Sequence, residues 1–446
     1  MRMAAAAGFA ACIGTFAGCG NTYRPVLATI GIVGPAGQPQ KYAVAISTPT
    51  PPGNPCPLAG QPTSNGLLTL VDFSGDTVLV TAQLGVNPYY LVLSRQGTTG
   101  YTLNCDKTLN SFDISTSLIS SQVLESTLPP GANPVSLFPS SNSTYLADPG
   151  VNAIDQLTGT PPALKQELPI ASGYAPIYVV GEAGGARAYA LSQATNGGPG
   201  QAVAIETGGN TISATIPVGR GPVYGVMTVD QRRAFILNQT DGTVSVINTQ
   251  NNALDTPLNT IPVGPRPVWA DLASGLDELV VANQGNGTTP GSVTIINIPL
   301  CSVTALPTNP NCNTVNPIDA LNFGSIAATV PVGINPIMVS VLSDFTRAYV
   351  ANAGVAGLPC ATVAVPGVST TCTVSVVNLL SNTVTATIPI NGHPVYIATS
   401  DATPTGKVYV VCKDSQVMTV IETDTDSVLT TVPLQGYGIS VRMTAP

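Results

Sequence analysis

Apolar and polar residues alternate in short runs along most of this chain, and Gly, Pro, Asn or Asp interrupts them every few positions. Thr243-Val244-Ser245-Val246-Ile247-Asn248 is one such run, and Thr373-Val374-Ser375-Val376-Val377-Asn378 is another. A period of two sends successive side chains to opposite faces of a strand. No window sustains apolar residues at i, i+3, i+4 and i+7, so the pattern predicts an all-β protein without substantial helices.

The runs group in fours and the group recurs. A strand ends in Ile-Pro-Val-Gly, two residues and a Pro follow, and that Pro opens the next apolar strand. A second strand then ends in Ala-Asn or Leu-Asn, and two more alternating strands complete the unit. One copy runs from Thr215-Ile216-Pro217-Val218-Gly219-Arg220-Gly221-Pro222 through Phe235-Ile236-Leu237-Asn238 to Gly242-Thr243-Val244-Ser245. Others begin at Ile261-Pro262-Val263-Gly264 and Val330-Pro331-Val332-Gly333, and the second contains Tyr349-Val350-Ala351-Asn352. These stretches resemble the YVTN family of β-propeller repeats, sharply from about residue 210 to 430 and less clearly before that. The resemblance implies a ring of four-stranded blades and says little about chemistry.

The physics of the repeat leads to the same fold. A four-stranded sheet of this size cannot bury both faces alone, but neighbours packed around an axis can. Pro at the first position of an inner strand removes no ladder donor. Gly219, Gly264 and Gly333 suit a turn of positive φ. The anchor prolines are Pro88, Pro134, Pro176, Pro222, Pro267, Pro336 and Pro394, and Gly438–Met443 forms an eighth inner strand. Eight blades are therefore favoured, with seven the alternative, in a single closed ring over 41–446. The C-terminal strand closes it by pairing with the N-terminal sheet. Three insertions, 48–65, 299–325 and 353–371, leave the ring as loops.

The N-terminus changes the picture from a fold to a place. Arg2 and the weakly apolar stretch Ala4–Ala17 read as a signal peptide over 1–18. Phe16-Ala17-Gly18-Cys19 resembles the bacterial lipobox, with Phe16 where Leu is usual. That resemblance implies lipidation at Cys19, a tether over 19–40 and a membrane anchor. The expected location is the cell envelope, on the outer membrane or facing the periplasm, or at the cell surface. Charged residues make up 9% of the chain and the net charge is −8. Nucleic acid is therefore not an expected partner, since a phosphate backbone calls for a basic face.

Export permits disulfides. Cys56 with Cys105, Cys301 with Cys312 and Cys360 with Cys372 are the candidate pairs, which leaves Cys412 as a partly buried thiol. The chain has one His and no Cys-x-x-Cys, so no metal site and no cofactor are expected. The residues before the anchor prolines should ring the mouth of the central channel. They include Asn87, Asn133, Arg266, Asn335 and His393, joined by the strand-ending Asn238, Asn283 and Asn352. Asn after a strand also serves as a turn former, so Arg266 and His393, which break the repeat, are the stronger candidates. Trp269 is assigned to packing between blades. No Gly-x-Ser-x-Gly elbow occurs. The function expected is thus a non-catalytic envelope binding or scaffold protein, acting as a monomer on a protein, peptide or glycan. The alternative is a propeller hydrolase of lactonase type, built on His393 and Arg266.

Overall fold

The computed structural model describes residues 41–49, 56, 64–182, 184–304, 308–315, 318–360, 372–400 and 406–444. The expected signal peptide over 1–18, Cys19 and the expected tether over 19–40 lie outside the described residues, as do most of 48–65 and the centre of 353–371. From Lys41 onward the chain is one compact unit. It forms eight antiparallel sheets, each a blade built outward from its inner strand.

Blades 2 to 8 have inner strands Pro88–Leu93, Ser136–Pro139, Tyr174–Gly181, Pro222–Met227, Pro267–Ala273, Pro336–Val341 and Pro394–Thr399. Blade 1 takes its inner strand from the far end of the chain. Tyr437–Met443 pairs antiparallel with Tyr42–Thr48, followed outward by Asn65–Asp72 and Val78–Val86. The ring is thus closed by strand pairing, with eight blades. Closure gives blade 1 its inner strand and covers the edge that Tyr42–Thr48 would otherwise present.

Each blade presents apolar residues on both faces. Val350, Val377, Val339 and Val293 are fully buried between neighbouring sheets, as are Tyr349, Val376 and Val408 one blade further on. Two side-chain devices tie the blades together. In the first, the Tyr of the second strand reaches a left-handed turn on the outer edge of the following blade. Tyr189 donates to Asn252 Oδ1 at 2.7 Å, Tyr349 to Asp426 Oδ1 at 2.5 Å and Tyr409 to Asp76 Oδ1 at 3.1 Å. The receiving residues all have φ near 50°. A cation two positions before each Tyr reaches toward the same turn. Arg347 pairs with Asp426 at 2.9 Å and Lys407 with Asp76 at 2.7 Å.

The second device joins the repeated Gly to the repeated Asn. Gly219, Gly264 and Gly333 do not adopt positive φ, contrary to the expectation from sequence. They lie at or just past the ends of outer strands, and a Cβ on them would sit 2.6–2.7 Å from the Cγ of Asn238, Asn283 and Asn352 of the next blade. The glycine is required for close approach of a neighbouring side chain, and the left-handed residues come just afterwards, at Gly221, Arg266 and Asn335.

The described cysteines form Cys56–Cys105, Cys301–Cys312 and Cys360–Cys372. Cys412 is free and wholly buried rather than partly so. It ends the second strand of blade 8, where Asn238 and Asn352 stand in other blades.

Candidate functional site

The rim residues divide according to what the backbone asks of them. Asn238, Asn283 and Asn352 are fully buried. Their amides donate within the blade to Ser245, Thr294 and Ser375 at 2.9–3.0 Å. These side chains brace blade contacts and do not reach the channel mouth. Asn87 and Asn335 sit at φ 46° and 58°, a conformation Asn tolerates better than most residues. The Asn87 carboxamide is also buried and accepts from Thr48 at 3.1 Å. Asn133 and Arg266 remain exposed. Arg266 holds φ 55°, and its carbonyl accepts the Gln284 N–H at 2.9 Å.

His393 is buried instead of facing solvent. Its Nδ1 lies 2.6 Å from Asp414 Oδ2, and its backbone N–H donates to Asp414 Oδ1 at 2.6 Å. Its Nε2 lies 2.9 Å from the Leu358 carbonyl, on the 353–371 insertion. Both ring nitrogens are thus engaged, and the imidazole pins that insertion to blade 8. Hydrogen bonds from His393 hold the Asp414 carboxyl below its usual range, against the opposing effect of burial. The Cys360 and Cys372 sulfurs and a His393 nitrogen lie within 4.8 Å of one another. The sulfurs are bonded to each other and are not available as thiolate ligands.

The most unusual chemistry lies on the axis. Five blades place an aromatic residue two positions after the anchor proline: Tyr90, Tyr178, Tyr224, Trp269 and Tyr396. Blade 6 also contributes Asp271, and the closing strand contributes Arg442. A bulge near the start of each inner strand that carries these residues sets Arg442 and Asp271 at equivalent positions, two residues past the aromatic rings. Arg442 pairs with Val44, as Val92 pairs with Tyr101 and Asp271 with Val280.

The rings meet across the channel. Tyr178 and Tyr224 centroids are 4.9 Å apart, and Tyr224 stacks on Trp269 at 4.0 Å. Trp269 meets Tyr396 edge-on at 5.9 Å although blade 7 separates their strands. The Tyr90 phenol lies against the Leu137 backbone and Tyr178. Arg442 lays its guanidinium over the Tyr396 ring, 4.5 Å from the centroid, and donates from Nε to the Leu91 carbonyl at 3.3 Å.

Burial pushes the phenols of Tyr90, Tyr178, Tyr224 and Tyr396 upward, so they remain neutral donors. Burial opposes the Arg442 charge, and the face of the Tyr396 ring and the Leu91 carbonyl are the partners that counter it. The Asp271 carboxyl is raised to about 6 by burial, despite the N–H groups of Val341 and Leu272 at 2.8 Å and the positive charge of Arg442. All these groups are deep in the molecule yet keep partial exposure toward the channel.

Sequence reasoning missed this layer and read Trp269 as blade packing. Its signal was present in the aromatic two positions past the anchor proline. What that spacing could not show is that alternate blades touch at the axis.

No protein-family profile matches the sequence, and no curated protein matches it significantly. Solved structures do match. The dihydro-heme d1 dehydrogenase NirN shares 10% identity at TM-score 0.61, over 88% of this chain and 73% of that one. Apo AztD from Citrobacter koseri shares 10% at TM-score 0.56, over 90% and 97%. A 6-phosphogluconolactonase candidate from Bacteroides fragilis shares 13% at TM-score 0.50, over 92% and 100%. At these identities the shared property is the propeller fold, a scaffold that carries unrelated chemistries.

Proposed function

We propose that this protein is a non-catalytic binding module of the cell envelope, exported by its leader, tethered through Cys19, and built on YVTN-type repeats. Its ligand, a protein segment, peptide or glycan, is taken where the channel opens. The observation that supports this reading is the aromatic layer of Tyr90, Tyr178, Tyr224, Trp269 and Tyr396 around Arg442. Aromatic walls with one fixed polar group are the usual make-up of a binding pocket. Trp269 is the chain's only tryptophan, so its emission reports on the channel. Glycan and peptide panels titrated against the full chain should contain ligands that change Trp269 emission. Tyr224→Ala should weaken those ligands at least tenfold. Ligands that bind equally well to Tyr224→Ala, without moving Trp269 emission, would place recognition elsewhere.

A hydrolase of lactonase type is the second reading, favoured by the His393–Asp414 pair at 2.6 Å. It requires Nε2 to leave the Leu358 carbonyl before it can act as a base. Lactone and ester turnover by the wild type, abolished in His393→Ala at unchanged melting temperature, would establish it. Turnover equal to that of buffer would remove it.

A further inference from the structure

We propose that the axial channel is a carboxylate site, in which Arg442 grips the anionic end of a small ligand and the aromatic layer covers the ligand's flat body. This rests on the channel reading above and names the chemistry of its ligand.

Arg442 stands where other blades place Val92, Val226, Ser340 or Ala398. Apolar or small side chains would fill the axis at lower cost than a guanidinium, which must be desolvated and paired. The protein pairs it incompletely. Nε is used by the Leu91 carbonyl, and one face by the Tyr396 ring. Its terminal nitrogens have no hydrogen-bond acceptor among the described residues, so one edge of the planar fork is left for a ligand. Asp271 is the acid on the same level, but both its oxygens accept backbone N–H groups. The Tyr396 hydroxyl is a second orphan, buried without a hydrogen-bond partner among the described residues.

Charge and shape narrow the class. The tyrosines are neutral, so Arg442 is the only cation among the described groups at this level. One guanidinium with Nε occupied matches a monoanion in a two-point hydrogen bond. Tyr224 and Trp269 stack with planes 23° apart and stay partly exposed, so their ring edges can meet the face of an aromatic ring or the apolar face of a sugar ring. Aromatic acids and uronic acids share that chemistry.

The test uses paired probes on the full chain, followed by Trp269 emission and calorimetry: benzoate against benzamide, and glucuronate against glucose, each to 10 mM on the order of weak-site affinities. At least one carboxylate should saturate, with its uncharged partner tenfold or more weaker, and the responding pair identifies the source. Arg442→Gln should remove that preference, and Arg442→Lys should restore part of it. Asp271→Asn leaves Arg442 in place and should tighten carboxylate binding, which keeps the proposal testable if Arg442 variants unfold. Equal binding of acid and neutral probe would overturn it, as would a preference that survives in folded Arg442→Gln or silence from all four probes. If silence accompanied glycan or peptide binding that still moved Trp269 emission, the carboxylate assignment would fall and the binding-module reading would stand.

Discussion

Asp155 occupies in blade 3 the position that Ser245, Thr294 and Ser375 hold in other blades, and it faces Asp148 where they face an Asn. Two buried carboxyls in one slot resist ionising together. Burial raises Asp155 to about 7, helped by the charge of Asp148 and a hydrogen bond with it. Between the ordinary value of 3.8 and about 7 the folded chain holds a proton that the unfolded chain has released. This site's contribution to stability is therefore complete at pH 4, declines as pH rises to about 7, and is flat above. Asp155→Asn should leave the melting temperature at pH 4 nearly unchanged and raise stability at pH 8 by on the order of 1–2 kcal/mol. Melts by circular dichroism across pH would show it, and a variant curve parallel to wild type would refute it. Asp271 acts in the same pH range with a different readout. Its carboxylate competes with a ligand for Arg442, so carboxylate affinity should rise as pH falls through about 6. Asp271→Asn should abolish that slope. The two acids could not be separated from other scattered aspartates by sequence, because the raised values arise from neighbours on other strands.

Between blades, the repeat's spelling turns out to be a list of joints. Gly219 and Asn238 are both legible in the sequence, nineteen positions apart. Their contact belongs to the ring, because one ends blade 4 and the other lies within blade 5. For that reason the asparagines resembled ligands when read singly. Gly219→Ala would place a Cβ 2.6 Å from Asn238 Cγ, with no positive φ to add strain. The expected cost is about 1–3 kcal/mol from overpacking alone, and Gly219→Ala with Asn238→Ala should recover part of it in a double-mutant cycle. Purely additive losses would mean that the two residues do not share a joint. The Tyr staples obey the same logic. Tyr349→Phe keeps the ring in its core position and deletes the hydrogen bond to Asp426, for an expected loss of about 1–2 kcal/mol in denaturant melts. Blade 5 carries Phe235 at this position, and there Arg233 instead binds Asp319 of the 299–325 insertion at 2.6 Å while Phe323 packs on Phe235. Sequence showed that insertion as a loop; that it substitutes for a staple depends on residues 86 positions apart.

Closure makes these joints into one body, and it also delivers the axial cation. Repeat count, blade number and the pairing of the two chain ends were readable from anchor prolines and from the orphan strand at the C-terminus. The reason is that a strand pattern without a partner must find one. The channel's contents were not readable, since they depend on how close alternate blades approach. The closing strand Tyr437–Met443 has two separable roles, seam and site. As seam, it pairs with Tyr42–Thr48 and buries Val441 against Ala43, Val411 and Val432. As site, it carries Arg442. Removing residues 437–446 should expose the inner edge of blade 1 and lower the melting temperature by roughly 10 °C or more, given a loss of several kcal/mol at a domain this size. Aggregation on size exclusion should accompany it. Arg442→Gln should keep the seam, melt close to wild type and lose only the axial preference for acids. If the truncated chain stayed monomeric and melted like wild type, the ring would not be held by its ends, and the placement of Arg442 on the axis would lose its structural basis.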